Sequence, residues 1–266
     1  MPLQAANETQ LYYELRGDGP PLLLIMGASG YGGIFRWFAE FLADEFTVVT
    51  YDRRGNGQSP KPAGWTATSA EEQADDAVAP LAGLGLAPAA IFGTSSAGIF
   101  ALAALIRHPE SVRGAVLHEP ALFALFDHPN DVRERLTRLV TEGMKAGGPA
   151  RGFECFLRFG AGDANWERLE PGVQKRMLAS ADTYFGVESG AFDSYLPDEE
   201  TLASITIPIE LLVSGESHAF FAEAAARLAG LLAVEVARTP GTHFPYLDHP
   251  RELAQTVRPF LRRVSA

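Results

Sequence analysis

Short apolar segments alternate with segments of helical periodicity along most of this chain. The apolar segments predict strands at residues 22–26, 46–51, 90–92, 114–118, 209–213 and 234–237. The helical segments between and after them are residues 34–43, 69–84, 97–107, 220–228 and 250–262. Ser69 and Glu72 form a capping-box pair at the start of the second helix. This alternation predicts an α/β protein with a mostly parallel sheet.

Two stretches depart from the alternation. Residues 11–15 predict a strand that forms an antiparallel ribbon with the N-terminus and ends at a turn cluster over residues 17–21. From residue 120 to about residue 205 the strands disappear and helical segments follow one another, such as residues 131–145 and 173–181, with glycine-rich breaks at 147–149 and 160–162. We therefore predict a core of residues 1–119 and 206–266, with residues 120–205 inserted as a helical cap over the active site.

Composition narrows the class of protein. A chain of 266 residues with 47% hydrophobic content can bury a full-sized core in one main domain. A formal charge of -11 argues against nucleic acid or an anionic membrane as the partner, since both attract surplus Lys and Arg. The N-terminus has no basic stretch followed by an apolar run, and residues 22–26 are too short to span a bilayer, so we expect a cytoplasmic protein. The single Cys155 excludes an internal disulfide and a thiolate zinc site of its own.

The strongest chemical signal is the segment Gly93-Thr94-Ser95-Ser96-Ala97, where a predicted strand turns sharply into a predicted helix. This is the outline of a nucleophile elbow, in which the residues two before and two after the nucleophile must be small. The Ser95 register gives Gly93 and Ala97 at those positions, although Ala97 replaces the usual glycine. The Ser96 register would place the β-branched Thr94 in the turn, so we predict Ser95 as the nucleophile.

A serine nucleophile needs a base, and the chain has six histidines. His243 lies in a loop after the last predicted strand. This position places the base last in the chain order Ser, acid, His. The other histidines are expected to have structural roles. His108 lies at a predicted helix C-terminus, where a cation is favourable, and His118 is expected to pack or bond locally. We predict His243 as the general base.

The acid is less clear from the residues alone. Serine hydrolases with such an elbow usually carry Asp after the strand that here is residues 209–213, but His218 occupies that position. Glu216 lies two positions early, whereas Glu119 stands at the C-terminal end of the preceding strand, at the sheet edge where catalytic groups gather. We predict Glu119 as the acid and keep Glu216 as the alternative.

Two backbone N–H groups must complete an oxyanion hole. Ser96, which follows the nucleophile, supplies the first, and Ala28 in the loop after residues 22–26 is expected to supply the second. The segment Asp52-Arg53-Arg54-Gly55-Asn56-Gly57-Gln58-Ser59 resembles the structural turn of serine hydrolases with such an elbow, and we therefore interpret Asp52 as scaffold.

These motifs together resemble the zearalenone lactonases, a group within the α/β-hydrolase superfamily. The resemblance rests on the elbow, on His118-Glu119 before a proline, and on residues 240–246 with His249-Pro250. It implies an α/β-hydrolase fold with an eight-stranded sheet, a Glu after the strand that follows the elbow, which is Glu119 here, and lactonase chemistry without a metal or cofactor.

The insertion is rich in aromatic residues, most of which are expected to form its own core. Some should face the Ser95 cleft, which suggests a bulky apolar ester or lactone, such as a macrocyclic lactone, as substrate. The residues expected to contact it are Met26, Ser29, Phe123, Trp166, Tyr184, Phe185 and Phe220. We expect a monomer or homodimer. Two other functions stay open: a ligand receptor with a slow triad, and cofactor-independent chemistry such as C–C hydrolysis or oxygenation.

Overall fold

One sheet runs through the centre of the molecule in a computed structural model that describes residues 2–126, 128–192 and 195–266. Its strands are β1 (Leu3–Ala6), β2 (Thr9–Arg16), β3 (Pro21–Ile25), β4 (Thr47–Tyr51), β5 (Ala89–Thr94), β6 (Val112–His118), β7 (Ile209–Ser214) and β8 (Val236–Thr239). The strand order is β1-β2-β4-β3-β5-β6-β7-β8. β1 and β2 pair antiparallel, β2 joins β4 antiparallel, and every later pair is parallel. The predicted mostly parallel sheet and N-terminal ribbon are therefore confirmed.

The central strands are mostly apolar because helices cover both faces of the sheet. Successive side chains of β3 enter opposite cores, with Leu23 and Ile25 on one face and Leu22 and Leu24 on the other. All six residues of β5 are buried. The candidate catalytic residues at the strand ends are thus attached to the most deeply packed part of the protein.

The helices of the core are α1 (Arg36–Leu42), α2 (Ala70–Gly83), α3 (Ser96–Arg107), α9 (Ala219–Leu232), α10 (Pro245–Asp248) and α11 (Pro250–Ser265). The predicted N-cap of α2 is confirmed, since the Ser69 hydroxyl accepts a hydrogen bond from the N–H of Glu72 at 3.1 Å. The last strand begins two residues later than predicted. Ala233 ends α9 in a left-handed conformation, with φ +53°, and the chain becomes extended only afterwards.

Between β6 and β7 the described residues form helices and no strand, as the sequence predicted. They are a 3₁₀ turn (Phe123–Leu125), α4 (Pro129–Ala161), α5 (Asp163–Arg168), α6 (Pro171–Leu178), α7 (Ala181–Thr183), a π-helical turn (Tyr184–Glu188) and α8 (Glu199–Ala203). The predicted break at Gly147 and Gly148 is present as a kink with non-helical angles, after which the helix resumes. We refer to residues 120–205 as the helical insertion.

The turn that contains Asp52 is a scaffold, as interpreted from the sequence. The Asp52 carboxylate accepts hydrogen bonds from the N–H groups of Gly32 and Gln58, each at 2.8 Å. It thereby joins the loop after β4 to the loop after β3, which carries Ala28.

Candidate active site

The segment between β5 and α3 is a strained turn centred on Ser95. Ser95 has φ +59° and ψ −127°, a conformation that costs a non-glycine residue free energy and recurs at functional sites. A side chain at Gly93 would place its Cβ 2.3 Å from the carbonyl oxygen of Ala97, so this position must be glycine. Ala97 is fully buried, which explains why only a small residue fits there. The strain falls on Ser95 and not on Ser96, which already belongs to α3.

His243 lies after β8, in a loop whose conformation is fixed by Asp248. The Asp248 carboxylate accepts hydrogen bonds from the N–H and the hydroxyl of Thr242, at 3.0 and 2.7 Å. The imidazole of His243 stacks on the Phe221 ring, with centroids 4.3 Å apart and planes 8° from parallel. Its Nδ1 lies 2.5 Å from Oε2 of Glu119. Because a carboxylate can only accept, Nδ1 carries the proton when Glu119 is ionised, and Nε2 is left free to act as a base.

Glu119 is a fully buried carboxylate at the end of β6. Besides the His243 ring, it accepts hydrogen bonds from the Ser214 N–H at 2.8 Å and the Ser217 hydroxyl at 2.9 Å. Burial acts to raise the pKa of Glu119, but the neighbouring His118 and His243 rings and the Ser214 N–H outweigh it, so the pKa lies below the ordinary value. Glu119 can therefore stay ionised despite its complete burial.

The structure brings Glu119, and not Glu216, to His243. Glu216 is exposed and lines a surface cleft with Thr242 and Asp248. His218, which occupies the position where an Asp was expected, faces the helical insertion. Its Nε2 donates a hydrogen bond to the carbonyl oxygen of Phe159 at 2.6 Å, and its ring stacks on that of Phe159 at 5.1 Å.

A buried histidine lies directly behind the predicted acid. His118 Nδ1 is 2.8 Å from the Thr94 hydroxyl, and its Nε2 is 2.9 Å from the Ser214 hydroxyl. Burial lowers the pKa of His118 to about 4, and the nearby Glu119 only partly opposes this effect. We expected His118 to pack or bond locally, but its hydrogen-bond partners lie 24 and 96 residues away, on neighbouring strands that only the sheet brings together.

The loop after β3 packs against the elbow without intervening side chains. A Cβ at Gly27 would lie 3.0 Å from the Cβ of Ser95 and 2.8 Å from the carbonyl oxygen of Thr94. The next residue, Ala28, lines the same cavity as Ser95. The two predicted oxyanion donors, Ala28 and Ser96, therefore belong to segments that meet at Ser95.

Ser95 and His243 open onto a cavity between the core and the helical insertion. Its wall is predominantly apolar, as is typical of sites that bind small molecules. Four of the residues expected to contact a substrate line it, namely Met26, Ser29, Phe123 and Phe220. Further aromatic side chains that the sequence did not single out complete the wall: Phe156, Phe159, Phe221, Phe244 and Tyr246.

The other three expected contact residues do not line this cavity. Tyr184 and Phe185 pack behind it, with the Tyr184 ring 4.8 Å from the Phe156 ring. Trp166 is buried in the core of the insertion, with the Arg158 guanidinium 6.0 Å from its ring centroid. In this structure all three side chains lie outside the cavity wall, and Phe156 lies between the cavity and Tyr184.

Within the described part of the chain, no group of three or more His, Cys, Asp or Glu side chains could hold a metal ion. Among the helices of those same residues, none is both long and apolar enough to cross a bilayer.

Comparison with known proteins relates the whole chain to hydrolases. A family described as the α/β-hydrolase fold matches residues 20–144. The chain is similar to the uncharacterized hydrolase YraK of Bacillus subtilis (strain 168), with 30% identity over 258 residues that cover 95% of this chain and 93% of that protein. It is 26% identical to the zearalenone hydrolase of Bionectria ochroleuca over 265 residues, which cover 96% of this chain and 95% of that one.

Among solved structures, a thermophilic esterase from Thermogutta terrifontis superposes with a TM-score of 0.80 at 22% identity, covering 97% of this chain and 95% of that chain. At this identity the likeness concerns the fold alone. The fold expected from the sequence motifs is confirmed.

Proposed function

The chain belongs to the α/β-hydrolase family, and from that premise we propose that it is a serine hydrolase that cleaves an ester or lactone of a bulky apolar substrate. One observation carries this proposal: the 2.5 Å contact between His243 and the buried Glu119, beside a strained Ser95 at the same cavity. A nucleophile, a base and an orienting acid are the three groups that acyl transfer requires.

In this mechanism His243 Nε2 removes the proton of the Ser95 hydroxyl as Oγ attacks the acyl carbon. Glu119 accepts the hydrogen bond from Nδ1–H, fixes the tautomer and stabilises the imidazolium that forms. The alcohol leaves with the proton from His243, and an acyl group remains on Ser95. Water activated by His243 then releases the acid and restores the serine.

The negative charge that develops on the acyl oxygen needs donors that are already in place. We assign this role to the N–H groups of Ala28 and Ser96, since their segments meet at Ser95. Main-chain donors suffice, so the Met26 side chain is free to serve as a wall of the cavity.

The cavity wall supports the substrate class. Aromatic rings from the core and from the helical insertion surround the opening near Ser95, including Phe123, Phe156 and Phe220. Such a wall favours a large apolar acyl or ring system over a charged one. Together with the similarity to a zearalenone hydrolase, it makes a macrocyclic lactone the substrate we expect. In this proposal residues 120–205 act as the cap.

The test is a hydrolysis screen of p-nitrophenyl esters and of lactones of graded ring size, including resorcylic macrolactones. We expect multiple turnovers, with kcat/KM rising toward bulky apolar substrates, and no turnover by the Ser95→Ala variant. A ligand receptor with a slow triad would instead release one equivalent of p-nitrophenol and stop. That outcome, or equal activity of Ser95→Ala, would overturn the proposal.

A further inference from the structure

Arg53 is a fully buried arginine whose five N–H groups all have acceptors. Its Nε donates to the carbonyl oxygen of Met26 at 2.9 Å, and its Nη2 donates to that of Gly27 at 3.0 Å. Nη1 also donates to the Gln73 side chain at 2.9 Å. Both terminal nitrogens donate to the carboxylate of Glu188, at 2.7 and 2.9 Å. One side chain thus holds the loop after β3 and is itself held by the helical insertion.

Glu188 ends the π-helical turn Tyr184–Glu188 and has no exposed surface. It is the carboxylate that neutralises the buried guanidinium, and Asn56 Nδ2 donates a further hydrogen bond to it at 3.1 Å. A bidentate arrangement of this kind fixes direction as well as charge. The position of Arg53 therefore depends on how the insertion packs on the core.

The contact with Gly27 has a geometric consequence for Ala28. The carbonyl of Gly27 and the N–H of Ala28 belong to one planar trans peptide, in which the two groups point in opposite directions. Arg53 Nη2 and the Gly30 N–H, at 3.0 and 2.9 Å, hold that carbonyl oxygen on one side. The Ala28 N–H must then point to the other side, away from Arg53.

We propose that Arg53 is a positioning residue for the oxyanion hole and that Glu188 couples this function to the helical insertion. Arg53 fixes the Gly27–Ala28 peptide, so the Ala28 N–H is oriented before a substrate binds. This inference rests on the proposed function, because it assumes that the Ala28 N–H receives the oxyanion. It predicts that the Arg53–Glu188 pair affects the rate of the chemical step and leaves ground-state binding nearly unchanged.

The main variant is the double substitution Arg53→Met with Glu188→Met. Removing one charge would strand the other in the interior, whereas removing both with side chains of similar length preserves folding in many proteins. The matched control is Arg54→Met with Asp76→Met. In this neighbouring buried ion pair, Arg54 lies on the same turn as Arg53 and Asp76 lies on α2, with an Nε–Oδ2 distance of 2.5 Å. The hydrogen bonds of Arg54 do not reach residues 26–30.

Three experiments are carried out on the full chain: steady-state kinetics with p-nitrophenyl butyrate for kcat and KM, inhibition by an aryl trifluoromethyl ketone, and circular dichroism to check folding. Ser95 Oγ adds to the ketone carbon and His243 takes the proton, so the adduct places an anionic oxygen where the oxyanion would lie. Losing one oxyanion donor outright costs about 10² to 10³ in kcat. Because the Gly30 N–H still holds the Gly27 carbonyl, we expect a loss of about 10- to 100-fold here.

The expected pattern is a fall in kcat matched by an equal weakening of ketone binding, with KM within about twofold of the original value and the control variant nearly unaffected. Glu188→Gln, which keeps the shape of the side chain, should shift both quantities in the same direction by a smaller factor. A folded double variant with unchanged kcat and ketone affinity would overturn the role of Arg53, as would an equal loss in the control. If the unmodified protein neither turns over esters nor binds the ketone, the hydrolase proposal itself fails.

Discussion

Replacing Glu119 by Gln tests the proposed triad most directly. The Ser214 backbone N–H donates to Oε1 of Glu119 at an N–O distance of 2.8 Å and cannot rotate away. In the variant it should therefore donate to the amide oxygen of the new side chain. The amide NH₂ group then faces His243 Nδ1, where Oε2 now lies at 2.5 Å. An NH₂ group can only donate, so the imidazole must turn to the tautomer with Nδ1 unprotonated and the proton on Nε2.

A His243 ring with its proton on Nε2 cannot accept the Ser95 proton. Loss of the correct tautomer in a serine triad costs about 10³ to 10⁴ in kcat, or about 4 to 5.5 kcal/mol of transition-state stabilisation. We expect this loss in Glu119→Gln, with little change in KM, because Glu119 is buried behind His243 and does not line the cavity. The ester that the unmodified protein hydrolyses fastest is the substrate for this assay.

Glu216→Gln is the matched control because Glu216 is the exposed carboxylate on the neighbouring strand-end loop. It should retain activity within about threefold, as surface substitutions of this kind have small effects. Circular dichroism melts should show both variants folded. A large loss in Glu216→Gln with near-normal Glu119→Gln would refute the assignment of the acid and the tautomer argument with it.

Three further results follow from the same geometry. Ser95→Ala should abolish turnover, while Ser96→Ala should keep most of it since only the Ser96 backbone N–H is used; labelling of Ser96 by a fluorophosphonate would contradict this. Burial lowers the pKa of His118 from 6.5 to about 4, so between these values the unfolded chain binds a proton that the folded chain does not, and stability falls as the pH drops. Between pH 7 and pH 5, proton binding to His118 in the unfolded chain should lower the free energy of unfolding by about 2 kcal/mol. Urea titrations of His118→Gln should not show this decrease, and a pH dependence equal to that of the unmodified protein would contradict the lowered pKa. Phe156→Ala should lower kcat/KM for a bulky lactone by about 10-fold or more and leave kcat/KM for a small acetate ester nearly unchanged. Tyr184→Ala should lower kcat/KM for the lactone by a smaller factor, and a larger loss in Tyr184→Ala than in Phe156→Ala would contradict the cavity wall described above.

The motifs that could be predicted from the sequence depend on residues close together along the chain. The elbow is of this kind: Gly93 and Ala97 are small because the turn at Ser95 brings its own flanking residues together. Strand and helix alternation is equally local, since each segment carries its own periodicity and its own caps. The sheet, its N-terminal ribbon and the helical insertion followed from these signals.

The substrate wall could not be predicted in this way. Aromatic residues in the insertion were visible in the sequence, but Phe156 lies in the inner layer and Tyr184 packs behind it only because of how α4 packs against the π-helical turn. Composition alone cannot distinguish one aromatic side chain from another. Their separation into wall and outer layer depends on the kink and packing of a long helix.

The sequence by itself determined the class of fold and placed Ser95 and His243 in the two loops where a nucleophile and a base are expected. Between Glu119 and Glu216 it could give only a preference, because both carboxylates follow neighbouring strands. Tertiary structure brought Glu119 to a residue 124 positions away and joined Arg53 to Glu188 across 135 positions. The physical reason is that burial and hydrogen bonding select among side chains only after the sheet, its loops and the insertion are packed, and no local pattern records which distant groups will then meet.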